Sequence, residues 1–374
     1  MSDDVREDDI KKAEFGPDAG PETTSINMAV DRESKSRVPR IFKAQAFQIF
    51  IVLIVIVIIF SIMAPDTFAQ LSNLRLVVQN ASILAVLGVG MTFIIITSGI
   101  DLSVGSVLVF SGVVSAMVMR AIGGDGWGVA TIGILVAIAS GLAWGIFNGL
   151  LISKAKVPPL IVTLGSLGMA LGLAQIITGG VDIRQVPSVL TTTIGYGNIL
   201  GGIPIISVIA LVIILLGAFL LHKTRFGLYT YAVGSSEEAA RRVGVKVDRH
   251  LIKVYGMSGA LAGLAGILSL SQFSTTAIAG QSQTNLNVIA AVVIGGTSLF
   301  GGYGTIFGTV VGLFIPAVLQ NGFVITGVQP FWQQVAVGAV LIAAVYVDQV
   351  RRASAARGAS TSLWRHFFAR RKNK

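Results

Sequence analysis

The chain has no cysteine and only three histidines, His222, His250 and His366. Disulfides, thiol nucleophiles and cysteine metal sites are therefore excluded. The histidines all fall outside the long apolar runs, which excludes a histidine metal site within those runs. Charge is scarce as well: 12% of residues are charged, about half the share usual in soluble domains. No G-x-x-x-x-G-K-[S/T] sequence occurs, so the chain has no P-loop with which to bind ATP. It has no long stretch of soluble composition in which a catalytic domain would sit.

What it has is apolar sequence. Hydrophobic residues make up 53% of the chain, and the mean hydropathy is +0.79. Several runs approach the ~20 residues that cross a bilayer as helix, and unpaired backbone groups are not tolerated in lipid. The expected fold is an all-α polytopic membrane protein of about ten transmembrane helices, some short, broken or re-entrant. The spans are placed at 46–63, 80–98, 103–121, 127–152, 159–178, 203–221, 252–270, 286–299, 305–321 and 331–347. The eighth and ninth are short and glycine-rich. If they form one re-entrant hairpin, eight spans remain and the termini still share a side.

Residues 1–43 are polar, with eight Lys/Arg and ten Asp/Glu, and read as a disordered cytoplasmic tail. A charged stretch this long ahead of the first apolar run is not a signal peptide. The transmembrane domain is expected over 44–349 and a basic cytoplasmic tail over 350–374. The 28 Lys/Arg are distributed unevenly: eight in the N-terminal tail, Lys154 and Lys156, seven in 222–253 and eight after Asp348. These regions share one side of a ten-span layout, leaving Arg75, Arg120 and Arg184 on the other. Positive-inside topology then places both termini and the 222–253 loop in the cytoplasm. It also accounts for the net charge of +10 without nucleic acid.

Glycine is abundant, 44 of 374 residues. Gly141, Gly145 and Gly149 form a small-residue ridge, as do Gly304, Gly308 and Gly312, suited to close helix packing or to a twin subunit. The stretches 99–105 and 295–302 both interrupt apolar sequence on the cytoplasmic side. Their likeness is too weak to establish a duplication.

Asp101 is the one acid placed near the membrane interior, where a carboxylate is costly. It is expected to cap a helix starting near Leu102, accepting from Ser103 or Val104. Solute contact and a proton relay are the alternatives. Neutral polar residues are more numerous in or near the spans: Gln79, Asn80, Asn148, Thr163, Gln175, Gln272, Asn285, Asn287, Thr297, Gln320 and Asn321. Amides and hydroxyls suit an uncharged, multiply hydroxylated solute, and they suit interhelical hydrogen bonds equally. Asn80, Asp101, Asn148, Thr163, Asn287, Thr297 and Asn321 are taken as candidates for a translocation path.

Within 222–253 lies Glu237-Glu238-Ala239-Ala240-Arg241-Arg242-Val243-Gly244. Ser235 or Ser236 can cap a short helix here. Glu237 and Glu238 would lie near its positive end, Arg241 and Arg242 would pair with them at i, i+4, and Gly244 would end it. Ala239 and Ala240 would offer a small, smooth surface. An ordinary solvated loop is the plainer alternative.

Glu238-Ala239-Ala240 with Gly244 matches the EAA-x-x-x-G pattern that permeases of ATP-binding-cassette transporters present to their ATPases. Over about residues 77–348 the chain resembles permeases of the ribose, xylose and galactoside class of bacterial importers. The resemblance rests on Asn80-Ala81-Ser82-Ile83-Leu84-Ala85, Gly90-Met91-Thr92-Phe93 and Gly99-Ile100-Asp101-Leu102-Ser103-Val104-Gly105-Ser106. It continues in Asn148-Gly149-Leu150-Leu151, Val157-Pro158-Pro159-Leu160-Ile161-Val162-Thr163-Leu164-Gly165 and Ile289-Ala290-Ala291-Val292-Val293-Ile294-Gly295-Gly296-Thr297-Ser298-Leu299. It implies a multi-pass subunit of the bacterial inner membrane, not itself an enzyme, importing a monosaccharide or polyol. It also implies partners: a second permease copy or a paralogue, a cytoplasmic ATPase that binds ATP and Mg, and an extracytoplasmic solute-binding protein. Glu237, Glu238, Ala239, Ala240 and Gly244 would couple to the ATPase, and the chain itself would hold no cofactor. Relatives commonly carry Glu-Leu-Asp where this chain has Asn285-Leu286-Asn287, a departure bearing on solute preference or binding-protein contact. An ion-coupled secondary sugar transporter, and a passive channel or purely structural membrane scaffold, are the competing expectations; Asp101 alone is available for ion coupling.

Overall fold

The computed structural model describes residues 45–356 apart from 185, 200, 280, 282 and 330. The tails expected at 1–43 and 350–374 lie outside the described residues, except that the last helix continues to Ala356. The long helices are α1 (Gln45–Met63), α2 (Leu71–Ile96), α3 (Val104–Ile122), α4 (Trp127–Ser153), α5 (Pro159–Thr178) and α6 (Ile205–Lys223). After them come α7 (Arg225–Ser235), α8 (Glu237–Arg242), α9 (Val247–Phe273), α10 (Thr284–Ile294), α11 (Ile306–Ile325) and α12 (Phe331–Ala356). Between α5 and α6 lie a π-helical turn, Leu190–Gly195, and a minimal hairpin in which β1 (Asn198–Ile199) pairs antiparallel with β2 (Ile203–Pro204).

All but α7 and α8 coincide with the ten expected spans. Seven are long and apolar enough to cross a membrane, and shorter apolar helices lie at Ile49–Met63, Thr284–Ile294 and Phe331–Ala343. Two boundaries differ from expectation for one reason. α2 starts at Leu71 rather than 80, and α9 at Val247 rather than 252. Polar side chains lower the local hydropathy there without breaking the helix. α11, with 20 residues, is about 30 Å long and spans by itself. α10, with 11, is only about 16 Å long, half a hydrocarbon core of ~30 Å. The lengths therefore do not favour the alternative in which both segments make one re-entrant hairpin.

α2 lies at the centre, 83% of its most apolar window buried, whereas α6 buries 22%. Leu211, Leu215, Leu216 and Phe219 of α6 are exposed, as are Ile51, Val55, Ile58 and Ile59 of α1. Apolar surface this continuous belongs against lipid. The expected glycine ridges pack within the chain. A Cβ on Gly145 would lie 2.2 Å from the Tyr255 carbonyl oxygen, and one on Gly259 would lie 2.2 Å from that of Gly141. α4 and α9 thus approach backbone to backbone. Gly308 and Gly312 bring α11 equally close to Gly295 and Ala291.

Hydrogen bonds separate the connections into two ends. At one end Ser98 Oγ donates to the carbonyls of Gly234 (3.3 Å) and Phe300 (2.9 Å), and Gly302 N–H donates to Ile96 O (2.9 Å). At the other, Gln79 Nε2 donates to Gly195 O (2.7 Å). There too, Ile183 N–H donates to Thr276 Oγ1 (2.8 Å) and Ile278 N–H to Asp182 Oδ1 (3.0 Å). Alternating ends along the chain are what membrane-crossing helices require.

Candidate functional site

The end of the molecule bearing α7 and α8 is assembled from local signals. Ser236 links the two helices. Its hydroxyl accepts from Ala239 N–H at 3.2 Å, satisfying one of the amides that a helix start leaves unpaired. Arg241 donates to Glu237 at 2.8 Å, and Arg242 pairs with Glu238. Such exposed pairs contribute only about 0.3–0.5 kcal/mol each, so termination matters more. Gly244 adopts φ +86°, Val245 N–H donates to Ala240 O and Gly244 N–H to Arg241 O, each at 3.0 Å. That double closure is a Schellman motif. Asp248, in the first turn of α9, pairs with Arg241, with Lys156 (3.1 Å) and with Lys154 (3.6 Å). With Glu237, it holds the Arg241 guanidinium above its ordinary pKa. The alanine surface divides: Ala239 is exposed with Glu237 and Glu238, but Ala240 is buried against Val233 and Val247. Ala240 secures α8 to its neighbours, and Ala239 with the acids forms the presented face.

Three of the path candidates meet in one buried cluster. Asp101 Oδ1 accepts from Ser103 N–H (2.8 Å) and Ser103 Oγ (2.6 Å). Asn148 Nδ2 donates to Ser103 Oγ (3.0 Å), and Asn148 Oδ1 accepts from Ser166 Oγ (2.5 Å). Thr163 Oγ1 donates to Pro159 O (2.9 Å) and to Ile100 O (3.3 Å). The acceptance from Ser103 matches expectation, but α3 starts at Val104. Asp101 therefore braces the approach to the helix instead of capping it. The first-turn amide of Gly105 is instead satisfied by Asn285 Oδ1, at 2.6 Å, from the start of α10. The short α10 and the chain entering α3 thus meet inside the protein, each beginning part-way through the bundle.

At the end opposite α8 lies a cavity of ≈ 620 Å³ among α2, α10, α11 and α12. Asn80, Gln281, Gln283, Asn287, Gln320, Gln333 and Gln334 line it, with Thr284 and the rings of Phe273 and Phe331. Seven amides and no ionisable group among the described lining residues make a wall of paired donors and acceptors without net charge. Part of the wall is oriented from behind. Gln272 Nε2 donates to Asn80 Oδ1 (2.7 Å), and Gln281 Oε1 accepts from Thr284 Oγ1 (2.5 Å).

The seven path candidates therefore divide. Asn80 and Asn287 line the cavity, whereas Asp101, Asn148 and Thr163 form the buried cluster. Thr297 is buried beside Gly304 near α7. Asn321 exchanges two hydrogen bonds with Asn73, Nδ2 to Oδ1 at 2.9 and 2.7 Å, and does not line the cavity. Gln281, Gln283, Gln333 and Gln334 were missing from the sequence reading. They sit at or beyond the ends of spans, and depth in an apolar run was the selection signal. Among the described residues no three His, Cys, Asp or Glu side chains gather as a metal site would require.

The model of the family described as branched-chain amino acid transport system / permease component matches residues 73–345. The chain is 36% identical over 308 residues to the ribose import permease protein of Escherichia coli (strain K12), covering 81% of this chain and 93% of that one. It is 39% identical over 311 residues to the ribose import permease protein of Bacillus subtilis (strain 168), covering 81% and 92%. Over 314 residues it is 32% identical to the fructose import permease protein of Rhizobium meliloti, covering 82% and 86%. No solved structure matches.

Proposed function

The chain belongs to the branched-chain amino acid transport system permease component family, and on that premise we propose that it forms the translocation path of an ATP-driven importer for a monosaccharide or polyol. The supporting observation is the amide-lined cavity without an ionisable group. An uncharged solute with many hydroxyls can exchange its hydration shell for such a wall. A charged solute would leave its counter-charge behind. Relatives named as importers of ribose and fructose support the same class.

The end bearing α8 is the cytoplasmic one, as the distribution of Lys/Arg requires, and both termini lie there. The presented face of Glu237, Glu238 and Ala239 docks a separate ATPase, which binds ATP and Mg; the chain has no P-loop of its own. A second permease copy or a paralogue completes the path, and an extracytoplasmic binding protein feeds the cavity. The site is in the bacterial inner membrane. The ion-coupled alternative has Asp101 as its buried acid, and Ser103 already occupies that side chain.

The test is an affinity pull-down of the tagged chain from its native membranes, with partners identified by mass. An ATPase should co-purify with the parent chain and be lost from Glu238→Arg, which reverses charge on the exposed face without touching Ala240. An eluate without an ATPase in several mild detergents would contradict the proposal.

A further inference from the structure

Movement of a docked α8 has to reach a cavity at the opposite end of the molecule. α8 is not free to move alone. Ser236 joins it to α7 as a single residue, its N–H donating to Ala232 O at 3.1 Å while its hydroxyl caps α8. Val233, Ala240 and Val247 pack together behind that joint. The C-terminal end of α7 is then clamped to two connections at once. Tyr231 Oη donates to Gly304 O at 2.7 Å, and Ser98 Oγ donates to Gly234 O and Phe300 O. A Cβ on Gly234 would lie 1.7 Å from Ile96 O and 2.6 Å from the Gly302 nitrogen, so three backbones cross with no room between them. Ser98 itself is held at φ +63°, a conformation uncommon for a residue with a Cβ and kept only where the surroundings enforce it.

Both clamped connections lead to the cavity. The one after Ile96 enters α3, whose Gly105 amide is bound by Asn285. The other follows α10 directly. Asn285 shares the first turn of α10 with the cavity-lining Thr284, Leu286 and Asn287.

We infer that the C-terminal end of α7 is the joint that carries movement of α8 to the amide-lined cavity, with Ser98 and Tyr231 as its positioning residues. The inference rests on the importer reading. α7 moves the 97–103 and 295–305 connections together, and these move the N-terminus of α3 and α10 as one unit.

The absence of cysteine permits a single reporter: Leu286→Cys, which lines the cavity and is 46% exposed. The full chain, co-purified with its ATPase and placed in lipid nanodiscs, is labelled with a charged maleimide, without nucleotide and with MgATP and vanadate. In Leu286→Cys alone the labelling rate should change about fivefold, the lower end of ordinary allosteric coupling. Adding Ser98→Ala with Tyr231→Phe removes all three of these hydrogen bonds and little volume. That variant should lose the response while ATP hydrolysis stays within about twofold. Ser98→Ala alone, which releases the Gly234 and Phe300 carbonyls from one hydroxyl, should act likewise. A response that survives in both variants overturns the inference. So does a response that falls only in step with hydrolysis, the mark of general damage. A reporter unresponsive in the parent overturns it too, because the cavity would not follow the cycle. If no ATPase co-purifies at all, the importer reading itself is what fails.

Discussion

Asn148 shows how single residues are committed in this protein. One amide ties α4 to α5 and to the residue that precedes α3, by donating to Ser103 and accepting from Ser166. Asn148→Leu should lower the thermal midpoint of the purified chain, because Ser166 would be left buried without its acceptor. Such an orphan costs about 1–3 kcal/mol, against ~0.6 kcal/mol for a typical interhelical bond in a membrane. An unchanged midpoint would mean that water or a neighbour replaces the amide. The sequence made the amides conspicuous as a class but did not distinguish their roles. Asn80 and Asn321 look alike in an apolar run, yet one lines a cavity and the other is spent on Asn73. An amide bonds whatever faces it, and what faces it comes from a distant part of the chain.

At the scale of elements the glycines make the sharper test. Gly145 and Gly165 are both helical glycines in apolar sequence. A Cβ at Gly145 would meet the Tyr255 carbonyl at 2.2 Å, whereas one at Gly165 meets nothing within 4 Å. Gly145→Ala should push α4 off α9 and sharply reduce folded yield in membranes. Gly165→Ala should be neutral, or stabilising by about 0.5–1 kcal/mol through helix propensity. Yields by fluorescence-detected size exclusion decide between them, and equal losses would refute the packing argument. α8 was the most legible element, since its caps and ion pairs lie within nine residues of one another. The burial of Ala240 was not, because it depends on Val233 and Val247 meeting behind the helix.

For the whole molecule, orientation is the quantity to measure. The exposed Val243, next to α8, and the exposed Tyr196, at the other end, serve as single-cysteine sites in a chain without competing thiols. In intact cells with the outer membrane permeabilised, a membrane-impermeant maleimide should label Tyr196→Cys only. In inverted membrane vesicles it should label Val243→Cys only. Labelling of both from one side would overturn the ten-crossing layout. The apolar segments themselves were readable because hydropathy is a sum over many residues, and errors at individual positions cancel; the sidedness that Lys/Arg asymmetry implies is what the labelling decides.

The sequence by itself determined the class of the protein, its ten apolar helices, the uneven spread of charge along the chain, and α8 with its termination at Gly244. Each depends on composition or on neighbours within a turn or two. Only the tertiary structure decided that α10 starts inside the bundle against α3, that seven amides from four parts of the chain close around one cavity, and that α7 is clamped to both inward connections. These depend on pairs such as Gly105 with Asn285, 180 residues apart. No local pattern specifies such a pair. The packing of the helices brings it together.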